Sequence, residues 1–127
     1  MNSLNKVAVL GGGSFGTVLA NLAASNGYNV SLWVRDSDQA LRINSEGANT
    51  SYHPELKLSE NIVASDNLNE VLDNAEIIFI ATPSIIFEKI VDRISEFIDP
   101  DSFVISCTKG ILDDPYRSLS EIISIKL

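Results

Sequence analysis

Short apolar, β-branched runs alternate along the chain with longer stretches in which apolar residues recur every three or four positions. Lys6-Val7-Ala8-Val9-Leu10-Gly11 is the first run, and it stops at a glycine cluster, as a strand buried on both faces would. Thr17 to Ala24 follows with Val18, Leu19, Leu22 and Ala23 at helical spacing, and Asn26-Gly27 supplies a helix stop. Asn29 to Val34 predicts a second strand, ending at Arg35-Asp36, and Ser37 to Ser45 a second helix with a polar outer face. From Gly47 to Asn61 there is no regular period, which suits a loop of functional length.

Ile62-Val63-Ala64 predicts a short third strand, Asn67 to Asp73 one or two helical turns, and Glu76 to Ala81 the next buried strand. Thr82-Pro83-Ser84 breaks it, with Ser84 placed as N-cap of a helix running to about Ile98. Asp99-Pro100-Asp101 reads as a turn, Ser102 to Ser106 as a fifth strand, Cys107 to Gly110 as its exit loop, and a last helix starts near Pro115. Strands alternating with helices at this spacing predict an α/β fold. It is a Rossmann-type, doubly wound parallel sheet with right-handed crossovers and helices on both faces.

Composition narrows the function classes. The 127 residues are 45% apolar and 20% charged, sized for one globular domain with its own core. Nine Lys and Arg against seventeen Asp and Glu leave a net charge of −8. Polyanions gain no counterion-release energy from such a partner, so neither nucleic acid nor an anionic membrane is expected. The single cysteine, Cys107, permits no internal disulfide, and His53 has no second His or Cys for a metal site. No apolar run approaches the roughly 20 residues of a membrane span, and the first residues lack a signal-peptide core, so the cytoplasm is the expected compartment.

The chemistry begins at Gly11-Gly12-Gly13-Ser14-Phe15-Gly16, a Gly-x-Gly-x-x-Gly placed between a predicted strand and a predicted helix. In that setting Gly11 allows the tight turn, Gly13 lets backbone approach a pyrophosphate, and Gly16 lets helix and strand pack closely. The helix N-terminus then offers N–H groups and partial positive charge to the phosphates. The adenosine ribose of a dinucleotide lies at the tip of the second strand. An acidic residue there accepts from a free 2′-hydroxyl, whereas an Arg pairs with a 2′-phosphate. Both types are present, as Arg35 and Asp36; Arg35 falls at the strand end, nineteen residues after Gly16, so NADP is the expected cofactor, with NAD the alternative.

These residues, together with Leu32-Trp33-Val34-Arg35, Asn49-Thr50-Ser51-Tyr52-His53-Pro54, Ala81-Thr82-Pro83-Ser84 and Thr108-Lys109-Gly110-Ile111, run in order along nearly the whole chain. In this the sequence resembles the bacterial NAD(P)-dependent glycerol-3-phosphate dehydrogenases. The specific part is the combination of Trp-x-Arg, Asn-x-x-Tyr-x-Pro and Lys-Gly-Ile. Departures are Gly12 where the family often has Ala, Phe15 where Trp or Tyr is common, and His53 where Leu is common. The resemblance implies that residues 1–127 are the cofactor-binding domain. The full enzyme would reduce dihydroxyacetone phosphate to sn-glycerol 3-phosphate for phospholipid synthesis, commonly as a homodimer. A second, mostly helical domain beyond Leu127 would carry the main catalytic lysine, so this chain alone is expected to bind cofactor without turnover.

The same resemblance gives Ser14 and Phe15 contacts to the cofactor, against the plainer readings of a helix N-cap and a core aromatic. Tyr52 would cover the adenine side or merely anchor its loop. Pro83 and Ser84 stand at the carboxyl end of a strand, where open parallel sheets bind ligands, or serve only as strand terminator and helix cap. Lys109, at the exit of a buried strand, would lie near nicotinamide and substrate, where an ammonium attracts a phosphorylated substrate and polarises its carbonyl. Most lysines are simply solvated, and Cys107 beside it fits a buried strand residue rather than a nucleophile. Two rivals stand beside this reading: another Rossmann reductase acting on a hydroxy acid, and a free-standing NADP-binding module without turnover.

Overall fold

The computed structural model describes residues 6–49, 55–82, 84–96, 98 and 102–106. Five parallel strands, β1 (Lys6–Leu10), β2 (Asn29–Trp33), β3 (Ile62–Ser65), β4 (Ile77–Ile80) and β5 (Phe103–Ser106), form one sheet in the order β3-β2-β1-β4-β5. Helices α1 (Ser14–Ser25), α2 (Ser37–Glu46), α3 (Leu68–Leu72) and α4 (Ser84–Ile94) connect them. β1 is central, and the chain winds outward from it first to β2 and β3, then crosses to β4 and β5. The expected doubly wound sheet is therefore present, with its switch point at the carboxyl end of β1.

Because β1 is covered on both sides, its residues divide between two cores. Val7 and Val9 join Val30, Leu32, Ala20, Ala24, Ala40 and Ile43 beneath α1 and α2. Ala8 and Leu10 join Trp33, Ile78, Ile80, Val71, Val91 and Ile94 beneath α3 and α4. Full burial of each Val, Leu or Ile among them stabilises the fold by about 1.5–3 kcal/mol, and alternation along β1 sets which residue faces which layer. Trp33 is buried with its indole N–H donating to the Asp66 carbonyl at 3.0 Å. Edge strand β3 is covered by Asn44 of α2, whose amide exchanges two 2.8 Å hydrogen bonds with the backbone of Ala64. At the amino edge, the Lys6 ammonium donates to the carbonyls of Glu70 and Asp73. Burial lowers the Lys6 pKa, against the attraction of Asp73 and Glu70.

Several boundaries differ from the sequence reading. Helix α1 begins at Ser14, inside the glycine motif, and its inward face is Gly16, Thr17, Ala20 and Ala24. Val18 and Leu22 point outward, 44% and 60% exposed, because small residues let a helix sit closer to the sheet than branched ones would. β2 ends at Trp33, although the Val34 amide still donates to Ser65. α4 starts at Ser84 itself, which is therefore its first helical residue and not its cap, and the helix ends at Ile94 rather than Ile98. The expected turn at 99–101 and helix near Pro115 lie outside the described residues. Among the described residues, no helix is long and apolar enough to cross a membrane.

Candidate functional site

At the carboxyl end of β1 the glycine loop turns between strand and helix, and its glycines have different reasons to be glycine. Gly11 has a φ of +126°, and a Cβ there would stand 2.7 Å from the Ala81 carbonyl oxygen of β4's exit. Its amide donates to the Trp33 carbonyl at 2.9 Å, so the turn is stitched to β2 as well. A Cβ on Gly16 would lie 1.9 Å from the Gly11 carbonyl oxygen, so the first turn of α1 packs directly on the loop. Gly12 faces Val34, whose Cγ1 would be 2.3 Å from an added Cβ.

Gly13 is the exception. Its backbone, at φ −78° and ψ −166°, is extended and open to any residue, and an added Cβ would meet nothing within 4 Å. Neither conformation nor the protein's own packing explains a glycine there. A helix N-cap favours glycine without requiring it, and the open space at Gly13 leaves room for the close approach of a group from outside the chain, as a pyrophosphate would require. Gly13 is also the N-cap of α1, with no side-chain cap and no carboxylate in the first turn, so the positive end of the helix is not neutralised locally. The residues present therefore fit a dinucleotide phosphate.

Ser14 is the first helical residue and not the cap, which removes one plain reading. Phe15 is 57% exposed, which removes the core-aromatic reading and leaves the side chain accessible to solvent.

The tip of β2 separates the two candidates for cofactor choice. The Asp36 carboxylate is the N-cap of α2, accepting the Asp38 amide at 2.9 Å. Arg35 is exposed and lines a cleft of about 290 Å³ together with Trp33, Asp66, Lys89, Ile90 and Arg93. Three cations thus surround one cleft of a strongly acidic chain. Lys89 and Arg93 were missed in the sequence; they lie four apart on α4, a spacing that puts them on one helix face, but nothing local relates that face to Arg35.

Of the remaining expected site residues, Ser84 opens α4 at the carboxyl side of β4. Tyr52, Pro83 and Lys109 lie outside the described residues. Lys109 follows the end of β5 by three positions in the chain. Thr82, at the carboxyl end of β4, is buried.

Comparison with known proteins places this arrangement. The family model described as the N-terminus of NAD-dependent glycerol-3-phosphate dehydrogenase matches residues 6–127. A glycerol-3-phosphate dehydrogenase [NAD(P)+] of Alcanivorax borkumensis is 42% identical over 119 residues, covering 94% of this chain and 35% of that protein. One from Teredinibacter turnerae is 38% identical, covering 99% and 37%. The chain thus spans about a third of the length of these relatives. Among solved structures, glycerol-3-phosphate dehydrogenase from Coxiella burnetii superimposes with a TM-score of 0.91 at 32% identity, over 98% of this chain and 38% of that one. A diketoreductase at 20% identity and a TM-score of 0.70 shares the fold alone.

Proposed function

The chain belongs to the NAD-dependent glycerol-3-phosphate dehydrogenase family, and from that premise we propose that residues 1–127 are the dinucleotide-binding domain of an NAD(P)H-dependent enzyme that reduces dihydroxyacetone phosphate to sn-glycerol 3-phosphate. The observation that carries the reading is Gly13, whose missing side chain leaves open space at the N-terminus of α1 and at the switch point of the sheet. Gly11 and Gly16 shape the loop, Gly13 admits the pyrophosphate, and Ser14 and Phe15 border it. Arg35 takes the 2′-phosphate of NADP, with Lys89 and Arg93 adding positive charge to the same cleft, while NAD remains usable through the shared loop. The capping role of Asp36 supports this preference, since its carboxylate already serves α2.

Bound in this way, the nicotinamide supplies the hydride. The protein's task is to hold the substrate carbonyl beside it, stabilise the developing oxyanion and deliver a proton. Lys109 takes the first part of that work, its ammonium attracting the substrate phosphate and polarising the ketone. Tyr52 and Pro83 complete the cofactor side, and the main catalytic lysine comes from a second domain. A homodimer in the cytoplasm, feeding phospholipid synthesis, is the setting that accords with the family.

Calorimetric titration with NADPH and NADH tests the binding claim directly, and NADPH oxidation dependent on dihydroxyacetone phosphate, by the protein at its full natural length, tests the reaction. Absence of binding by either nucleotide would refute the site.

A further inference from the structure

The Asn-x-x-Tyr-x-Pro segment opens with Asn49, which is only 2% exposed and lies two residues beyond Gly47, the left-handed C-cap of α2. Its side-chain amide donates to the Gly12 carbonyl at 2.7 Å and to Thr17 Oγ1 at 2.8 Å, and its Oδ1 accepts from Gln39 Nε2 at 3.1 Å. Gln39 Nε2 also donates to the Gly12 carbonyl, at 2.9 Å. Thr17 in turn donates its hydroxyl proton to the Gly13 carbonyl at 2.7 Å. Three separate segments therefore converge on the two carbonyls inside the glycine motif.

A trans peptide holds its C=O and the following N–H antiparallel. With the Gly12 carbonyl drawn inward by two amide donors, the Gly13 N–H is directed the opposite way, away from Asn49 and Gln39, and the Gly13 Cβ position beside it is open. A bond between two glycines is the one most easily turned over, since neither residue carries a Cβ to resist. The reversed peptide would present a carbonyl oxygen to an anion, and the site would repel what it is shaped to receive.

We propose that Asn49, assisted by Gln39, is a positioning residue for dinucleotide binding: it locks the Gly12–Gly13 peptide with its amide toward the pyrophosphate. This rests on the dinucleotide reading above and assigns the buried Asn of the Asn-x-x-Tyr-x-Pro segment a role toward the cofactor loop rather than toward its own loop.

The test separates this role from simple stabilisation. Asn44→Ala is the control, since it removes two 2.8 Å hydrogen bonds to Ala64, on the edge strand away from the glycine loop. With the protein at its full natural length, Asn49→Ala and Asn49→Asp should weaken NADPH binding about tenfold or more. Gln39→Ala, which leaves one donor in place, should weaken it a few-fold, and Asn44→Ala should not change it. KM for NADPH should rise accordingly, with kcat at saturating NADPH unchanged. If Asn49→Ala lowers the melting temperature as Asn44→Ala does but binds NADPH like the parent, the residue is merely structural and the proposal fails. Should Asn49→Ala not fold, Gln39→Ala decides alone, and unchanged NADPH affinity there overturns it. A parent protein that binds neither NADPH nor NADH would instead sink the dinucleotide reading, and this inference with it.

Discussion

Replacing Gly13 and Gly16, three positions apart in one motif, should separate binding from folding. At Gly13 the backbone already lies in a region that any residue adopts, and a Cβ meets nothing within 4 Å. Gly13→Val gives a poorer helix N-cap, costing a few tenths to about 1 kcal/mol. It also narrows the unfolded ensemble, worth roughly 0.4–1 kcal/mol in the other direction. The two nearly cancel, and the melting temperature should move by less than about 4 °C, the shift that 1 kcal/mol produces in a domain of this size.

At Gly16 the situation is reversed. A Cβ would sit 1.9 Å from the Gly11 carbonyl oxygen, a backbone atom that no rotamer change can move aside. Overpacking of this kind costs about 1–3 kcal/mol at the least, so Gly16→Ala should lower the melting temperature clearly or prevent folding. Binding should follow the opposite order. The valine branches of Gly13→Val occupy the space where the pyrophosphate must approach, so NADPH and NADH should both weaken at least tenfold, about 1.4 kcal/mol, and by similar factors because they share that group. Thermal unfolding and calorimetry on the same preparations decide the matter. A stable Gly13→Val protein with parental affinity would show that the open side of the loop is not where the phosphates sit.

Three further outcomes are expected. Arg35→Ala should reduce a preference for NADPH over NADH by about tenfold, the scale of one charge-assisted hydrogen bond; equal loss for both nucleotides, measured by parallel titrations, would assign Arg35 to adenine stacking instead. Gly12→Ala should destabilise by about 1–3 kcal/mol because its Cβ would stand 2.3 Å from Val34 Cγ1, and adding Val34→Ala should cost less than the two single changes together; strict additivity in denaturant melts would show that the contact is relieved elsewhere. Burial holds the Lys6 pKa below the ordinary lysine value near 10.4, so just under that pH the unfolded state binds more protons and stability rises with pH. Comparing the pH dependence of unfolding with that of Lys6→Met isolates the effect, and parallel curves would refute it.

Buried parallel strands carry a strong signal, and Lys6–Leu10, Asn29–Trp33 and Ile77–Ile80 could be read from their apolar runs alone. The glycine motif was equally clear, because its spacing is a property of one continuous segment. What spacing could not supply was direction. Val18 and Leu22 repeat along α1 as regularly as Ala20 and Ala24, and periodicity shows that a helix has faces without saying which turns inward. Close packing chose the smaller set, as Gly16 against the Gly11 carbonyl required. Arg35 and Asp36 stood side by side with opposite implications, and only the hydrogen bond to Asp38 shows that one of them is occupied with capping a helix. Lys89 and Arg93 join Arg35 only because the crossing at β1 brings α4 under the tip of β2. Asn49 is the furthest case, a single polar residue in an aperiodic stretch whose partners lie 10, 32 and 37 positions earlier in the chain. The motif identifies where the backbone can approach a phosphate; the direction in which its peptide faces depends on Asn49 and Gln39, which the motif does not contain.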